Sequence, residues 1–290
     1  MSSAVIDVQG PLRKMPATPG PSVAYQLKLG DTRVPLNDLI GREIQLDFYG
    51  EIRCINCDRR TNKSFSQGYC YPCFKKLAAC DTCIMSPERC HYHLGTCREP
   101  EWGETHCMTT HVVYLANSSG LKVGITRQNQ VPTRWIDQGA VSALPMFEVA
   151  TRQIAGLVEV ACKAHVADKT NWRAMLKGDV KPVDLVAARD ELRRLIADEL
   201  QALRKEHGAD AIREVDDSGL DLAYPVDTWP VKIATHNLDK TPQVFGRLEG
   251  IKGQYLILDT GVINIRKFTA YNVRLQVFDE TPATQDLFSA

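Results

Sequence analysis

No run in this chain approaches the roughly 18 consecutive apolar residues of a membrane-spanning helix, so no membrane partner is expected. Neither sign of charge dominates, because 35 lysines and arginines face 35 aspartates and glutamates. With no net charge there is no global field to draw the protein to nucleic acid, and any such affinity has to come from a local patch. The first 22 residues, MSSAVIDVQGPLRKMPATPGPS, carry no apolar stretch of signal-peptide type. They read as a flexible, proline-rich tail, and a cytoplasmic location is the expectation. No internal repeat is visible. What is left is 44% apolar and 24% charged over 290 residues. That describes a soluble globular chain, long enough for about two domains and a hydrophobic core.

Cysteine, by contrast, is plentiful and clustered. Nine of the ten cysteines fall between Cys54 and Cys107, and Cys162 stands alone. In a reducing compartment such clustering points to metal, not disulfide. The stretch CINCDRRTNKSFSQGYCYPC places Cys54 and Cys57 twelve residues before Cys70 and Cys73. Two Cys-x-x-Cys knuckles at that separation supply four thiolates, which close tetrahedrally on one Zn²⁺ at about 2.3 Å. With all four positions filled, the site is structural. The following block, CDTCIMSPERCHYHLGTCREPEWGETHC, offers a second zinc. Cys80, Cys83, Cys90 and Cys97 make the most compact ligand set, with Cys107 or His91 able to replace one of them. The surplus of donors would also serve a three-ligand catalytic zinc, but no glutamate stands in a His-x-Glu motif as its base.

The first knuckles have basic and aromatic neighbours. Arg53, Arg59, Arg60, Lys63, Lys75 and Lys76 surround a single acid, Asp58, and interleave with Phe65, Tyr69, Tyr71 and Phe74. Cations for phosphates and ring faces for bases are what a single-stranded nucleic acid requires. The same residues equally suit a solvated basic face whose aromatics pack around the metal.

Around this block the patterning changes. Residues 23–53 alternate in the manner of strands, as in REIQLDFYGEI, where Ile44, Leu46 and Phe48 alternate with Glu43, Gln45 and Asp47. Residues 54–107 form the cysteine module, and 108–180 mix hairpin, helix and strand. Residues 183–208 predict one long amphipathic helix, with Leu192, Leu195, Ile196, Leu200 and Leu203 in a stripe and Gly208 just past its end. Residues 220–290 read as short strands with frequent turns, VKIA and QYLILDTG among them, and predict a small β-barrel-like domain. The fold class is α+β.

Within the third segment, HVVYLANSSGLKVGITR reads as a hairpin turning at Asn117–Gly120, with Tyr114 opposite a strand that carries Lys122 and Gly124. Taken alone, Tyr114 suits a core aromatic with a capped hydroxyl, and Glu159 a residue at the rim of its helix. In order along the chain, however, VVY at 112–114, KVG at 122–124, Arg134, Glu159 and Asn171 resemble the GIY-YIG endonuclease superfamily over residues 112–172. That family carries Gly-Ile-Tyr and Tyr-Ile-Gly on two strands of a small sheet, then a helical arginine, a metal-binding glutamate and often an asparagine. Val112 replaces the first glycine and Lys122 the second tyrosine, and the interval between the strands is shorter than in many nucleases. The whole chain is also similar to a bacterial family termed domain of unknown function 2797, through SQGYCYPC, GTCREPEWGE, VYLANSSGLKVGIT and RWIDQGA.

The nuclease resemblance implies phosphodiester hydrolysis. Tyr114 would orient or deprotonate water, with Lys122 lowering its pKa or holding phosphate. Arg134 would neutralise the oxyanion through its planar fork. Glu159 would hold one Mg²⁺ or Mn²⁺, with Asn171 completing the set. The expected function is therefore a zinc-containing nucleic-acid-processing protein. Its rivals are a non-catalytic nucleic-acid binder and a zinc-stiffened scaffold for a protein partner.

Overall fold

The computed structural model describes residues 4–279. Strands come first: β1 (Ala4–Pro11), β2 (Ala17–Thr18), β3 (Ala24–Leu29), β4 (Thr32–Pro35) and the long β5 (Glu43–Arg53). The cysteine-rich stretch adds β6 (Arg60–Thr61), α1 (Tyr71–Lys76) and α2 (Pro100–His106), joined by single 3-10 turns. Next come β7 (His111–Asn117), β8 (Leu121–Arg127), α3 (Thr133–Asp137), β9 (Ser142–Val149), α4 (Arg152–Lys163) and α5 (Trp172–Leu176). The helices α6 (Leu185–Leu195) and α7 (Ala197–His207) follow. The last strands are β10 (Ile212–Glu214), β11 (Leu220–Asp221), β12 (Gln243–Lys252), β13 (Tyr255–Leu258), β14 (Gly261–Asn264) and β15 (Tyr271–Phe278).

Alternation along β5 turns Ile44 and Leu46 to one face, and both are buried. Leu46 pairs with Leu275 on one side and Val244 on the other, so three apolar side chains meet across adjacent strands. The antiparallel sheet runs β1-β15-β5-β12-β13-β14, with β6 paired to β5. Among the described residues it does not close into a barrel. The expected barrel is thus corrected to an open sheet in which the early strand β5 lies between β15 and β12. VKIA forms no strand, and residues 280–290 of the expected C-terminal domain lie outside the described residues.

The expected tail is also corrected. β1 pairs along its length with β15, and Leu12 and Met15 are wholly buried. Lys14 reaches Asp137 at 2.5 Å, and the Gln254 side chain exchanges two hydrogen bonds with the Met15 backbone, at 2.9 and 3.0 Å. The partner that orders these residues lies at the other end of the chain, beyond the reach of any local pattern.

A smaller antiparallel sheet has the order β10-β9-β7-β8, with β11 also on β9. The expected hairpin forms, and its register sets Tyr114 against Gly124 and Ala116 against Lys122. Every residue of β7 is buried. Val113 and Leu115 point to a core shared with α4, α6 and α7, which includes Ile154, Val158, Leu192, Ile196 and Leu200. Val112, Tyr114 and Ala116 point the other way, into the core of the larger sheet. The predicted single helix over 183–208 is instead two, broken at Ile196 (φ −107°, ψ 21°). The first half lies on β7 and β9 and the second against α4, two supports that one straight helix would not meet together. Leu195 is left exposed at the break.

Candidate functional site

Cys54 directly follows β5, and Cys70 and Cys73 belong to the start of α1. Between them the chain turns sharply, with Asp58, Ser66 and Gln67 at positive φ. These turns bring Cys54, Cys57, Cys70 and Cys73 together, every sulfur within 4.8 Å of the others. The Cys57 and Cys70 sulfurs are 3.7 Å apart, close to the edge of about 3.8 Å that a tetrahedron with zinc–sulfur bonds of about 2.3 Å requires. Burial alone would raise the Cys54 thiol, but the backbone amides of Cys70, Cys57 and Asn56 outweigh it and hold the thiol at about 6. Asn56 Nδ2 donates to Cys73 Sγ at 3.5 Å. The cluster is thus compatible with one structural zinc, whose four thiolates would leave no open coordination position.

The remaining cysteines do not group as the compact expectation had it. Cys83, Cys90, Cys97 and Cys107 line one cavity of about 10 Å³, together with Asp81 and His91. Cys80 is absent from that lining, and its thiol lies beside the Ser66 hydroxyl, near Cys54. The Cys80–Cys83 knuckle is split because each cysteine sits in its own 3-10 turn, Ala78–Cys80 and Thr82–Ile84. Cys107, at the end of α2 and named from the sequence as a possible replacement, lines the cavity that Cys80 does not.

Four of the five residues assigned to the polar site converge near the β8 edge. The Tyr114 hydroxyl donates to Gln138 Oε1 at 2.9 Å. Its ring lies across Gly124, where an added Cβ would come within 2.7 Å of it. Burial raises the Tyr114 phenol above its ordinary value, partly offset by Arg134 and Gln138. Lys122 is 4% exposed, and its ammonium donates to Thr170 Oγ1 at 3.1 Å. Burial, reinforced by the Arg134 charge, pushes Lys122 down to about 8. Glu159, on α4, is raised by burial against the pull of Lys163. Lys163 lies 3.2 Å from Glu159 and also 3.2 Å from Asp168. Asn171 stands apart at the hairpin tip, where its backbone N–H donates to Ser119 Oγ and its side chain caps α5 by accepting from Ala174 N. Gln138, Lys163, Asp168 and the half-buried Arg152 were missed in the sequence, where each looks like an ordinary surface residue of a helix or loop.

A family model described as "Protein of unknown function (DUF2797)" matches residues 41–273. The chain belongs to this family. The DUF2797 match begins before β5, takes in the cysteine module and the polar cluster, and ends within β15. No curated protein and no solved structure matches the chain.

The basic stretch of this DUF2797 chain divides in two. Arg53 is engaged by Glu51 and Asp58, at 2.9 and 3.2 Å. Arg59, Arg60, Lys63, Lys75 and Lys76 are exposed. Phe65 packs on Tyr71 and on Phe74, both at 5.5 Å between ring centroids, and Lys63 sits 5.3 Å above Phe65. Tyr71 is 55% exposed.

Proposed function

We propose that this is a zinc-containing nucleic-acid-binding protein whose binding face is the basic, aromatic surface beside the four-cysteine cluster. The observation that carries the reading is the Phe65–Tyr71–Phe74 group, open at Tyr71, with Lys63 over Phe65 and four more exposed cations in the same stretch of chain. Unstacked bases find ring faces there, and phosphates find lysine and arginine. Zinc at Cys54, Cys57, Cys70 and Cys73 would hold the rings in place, since α1 is too short to keep its shape unaided. Fluorescence anisotropy with labelled single- and double-stranded RNA and DNA, at several salt concentrations, tests it. Changing Arg59, Arg60 and Lys63 together to alanine should weaken single-strand binding and flatten the salt slope by about two, at roughly 0.7 per phosphate contact. An unchanged slope, or no binding by the wild type at low salt, ends the proposal.

A second reading, a GIY-YIG-like nuclease, is favoured by the meeting of Tyr114, Lys122, Arg134 and Glu159. In that reading Arg134 and Lys122 would bind the phosphate. Two observations weigh against it. Tyr114 is wholly buried, with its phenol proton committed to Gln138. The Lys163 ammonium bridges Glu159 and Asp168, the place a divalent cation would take, so Mg²⁺ or Mn²⁺ does not fit this arrangement. Divalent-dependent cleavage by the wild type, lost in both Tyr114→Phe and Glu159→Gln, would establish the nuclease. Cleavage that survives both would remove it from this site.

A further inference from the structure

We infer that Cys83, Cys90, Cys97 and Cys107 hold a second structural zinc ion, and that this ion fixes the platform on which α4 rests. Cys83, Cys90, Cys97 and Cys107 all line one cavity of about 10 Å³, space for a single small ion, and Asp81 and His91 line it as well. Each comes from a different local element. Cys83 lies in the turn Thr82–Ile84, Cys90 ends the turn Pro87–Arg89, Cys97 precedes α2, and Cys107 ends α2. None of these elements can hold itself, since helices this short are unstable alone. None belongs to a hydrophobic core cluster either, since no residue from 54 to 111 is part of one among the described residues. Four cysteines around one cavity, outside those clusters, is the situation in which small folds depend on metal.

The neighbouring donors are already engaged. Among the donors around this cavity, Asp81, Cys83 and His91 are the ones whose ligand atoms lie within 4.8 Å of one another, which makes them the rival ligand set. Yet Asp81 is bound by Arg98 at 2.7 Å and accepts from Thr82 N at 2.5 Å, while His91 Nδ1 is 2.8 Å from Thr96 Oγ1. The thiols have no comparable partners. Gly103 permits the close approach of α2, since an added Cβ would lie 3.5 Å from Cys97 Sγ and 3.1 Å from the Tyr92 ring.

Two of the four ligands also grip α4 through their carbonyls. Cys107 O accepts from Arg152 N at 2.8 Å, and Cys90 O accepts from Gln153 Nε2 at 3.1 Å. Just before Cys90, Pro87 and Glu88 press on the helix at Gly156, where an added Cβ would come within 2.6 Å of Glu88 N. A metal that fixes Cys90 and Cys107 therefore fixes the outer support of α4. The assignment is independent of nucleic-acid binding, because it is read by metal content alone.

Elemental analysis of the purified full-length chain should give two zinc ions. Cys90→Ser and Cys107→Ser should each lower that to one, whereas Cys80→Ser and His91→Gln should keep two. One zinc in the wild type overturns the inference. So does loss of an ion in Cys80→Ser or His91→Gln, or retention of both in Cys107→Ser. Should the cysteine variants fail to fold, cobalt substitution of the wild type decides. Two equivalents with tetrahedral thiolate absorption support the site, and one equivalent, or iron in place of zinc, refutes it.

Discussion

Strand β7 and the cysteine stretch just before it are neighbours in sequence, yet order comes to them from different sources. In β7 all seven residues are buried, and successive side chains feed two hydrophobic cores. From Cys54 to Cys107 no residue belongs to a hydrophobic cluster among the described residues, and the recurring feature is the cysteine, nine times over. The first region spreads its stabilisation over many small contacts, each worth little alone. The second concentrates it at a few atoms. One therefore loses stability by degrees, and the other all at once.

The sharpest way to break this contrast is at the metal. Cys54→Ser or Cys73→Ser should release one zinc and unfold residues 54–107, a loss on the order of 10 kcal/mol by comparison with small zinc-finger peptides. Proteolysis should then cut within the module first and leave the sheets resistant. A single transition that takes the sheets with it would mean the two regions are not separately held. In the body, Leu46→Ala should cost about 2–5 kcal/mol in chemical denaturation, with zinc content unchanged. A Leu46→Ala protein that also loses zinc would merge the two regions.

Smaller effects sharpen the comparison inside the body. Gly124→Ala forces a methyl against the Tyr114 ring, which is locked between two sheets. The expected cost is about 1–3 kcal/mol, as for other overpacked cores, and a neutral result would show that the ring moves freely. Lys122 gives a pH signature. Its folded state releases a proton at about 8, whereas the unfolded chain keeps it to 10.5. Between those values the unfolded state binds more protons, so stability rises with pH. Urea midpoints of wild type against Lys122→Met should converge by about 1–2 kcal/mol between pH 8 and 9.5, because only the wild type gains. Parallel midpoints would mean that Lys122 is hydrated.

What could be read from the residues alone follows the same division. The Cys54–Cys73 spacing and the Asn117–Gly120 turn are local chemistry, and both appear where the sequence puts them. The order of β1 is not local: Ile6 and Val8 alternate too briefly to announce a strand, and their partner is β15. The break at Ile196 depends on what each half of the helix lies upon. Cys107 lines the second cavity and Cys80 does not, because Cys80 and Cys83 sit in separate short turns, which spacing does not encode. Within the polar cluster the residues were legible, but their burial and the Lys163 bridge were not.

The position of β5 between β12 and β15 has a consequence for synthesis. A ribosome delivers β5 early and both of its neighbours last. Until then Ile44 and Leu46 have no partner strands, and the hydrogen-bonding edges of β5 stay open to other chains. Cys54, Cys57, Cys70 and Cys73 emerge directly behind it and need only each other and an ion. Given zinc, the nascent protein would complete its four-cysteine part while its largest sheet is still waiting for its final strand.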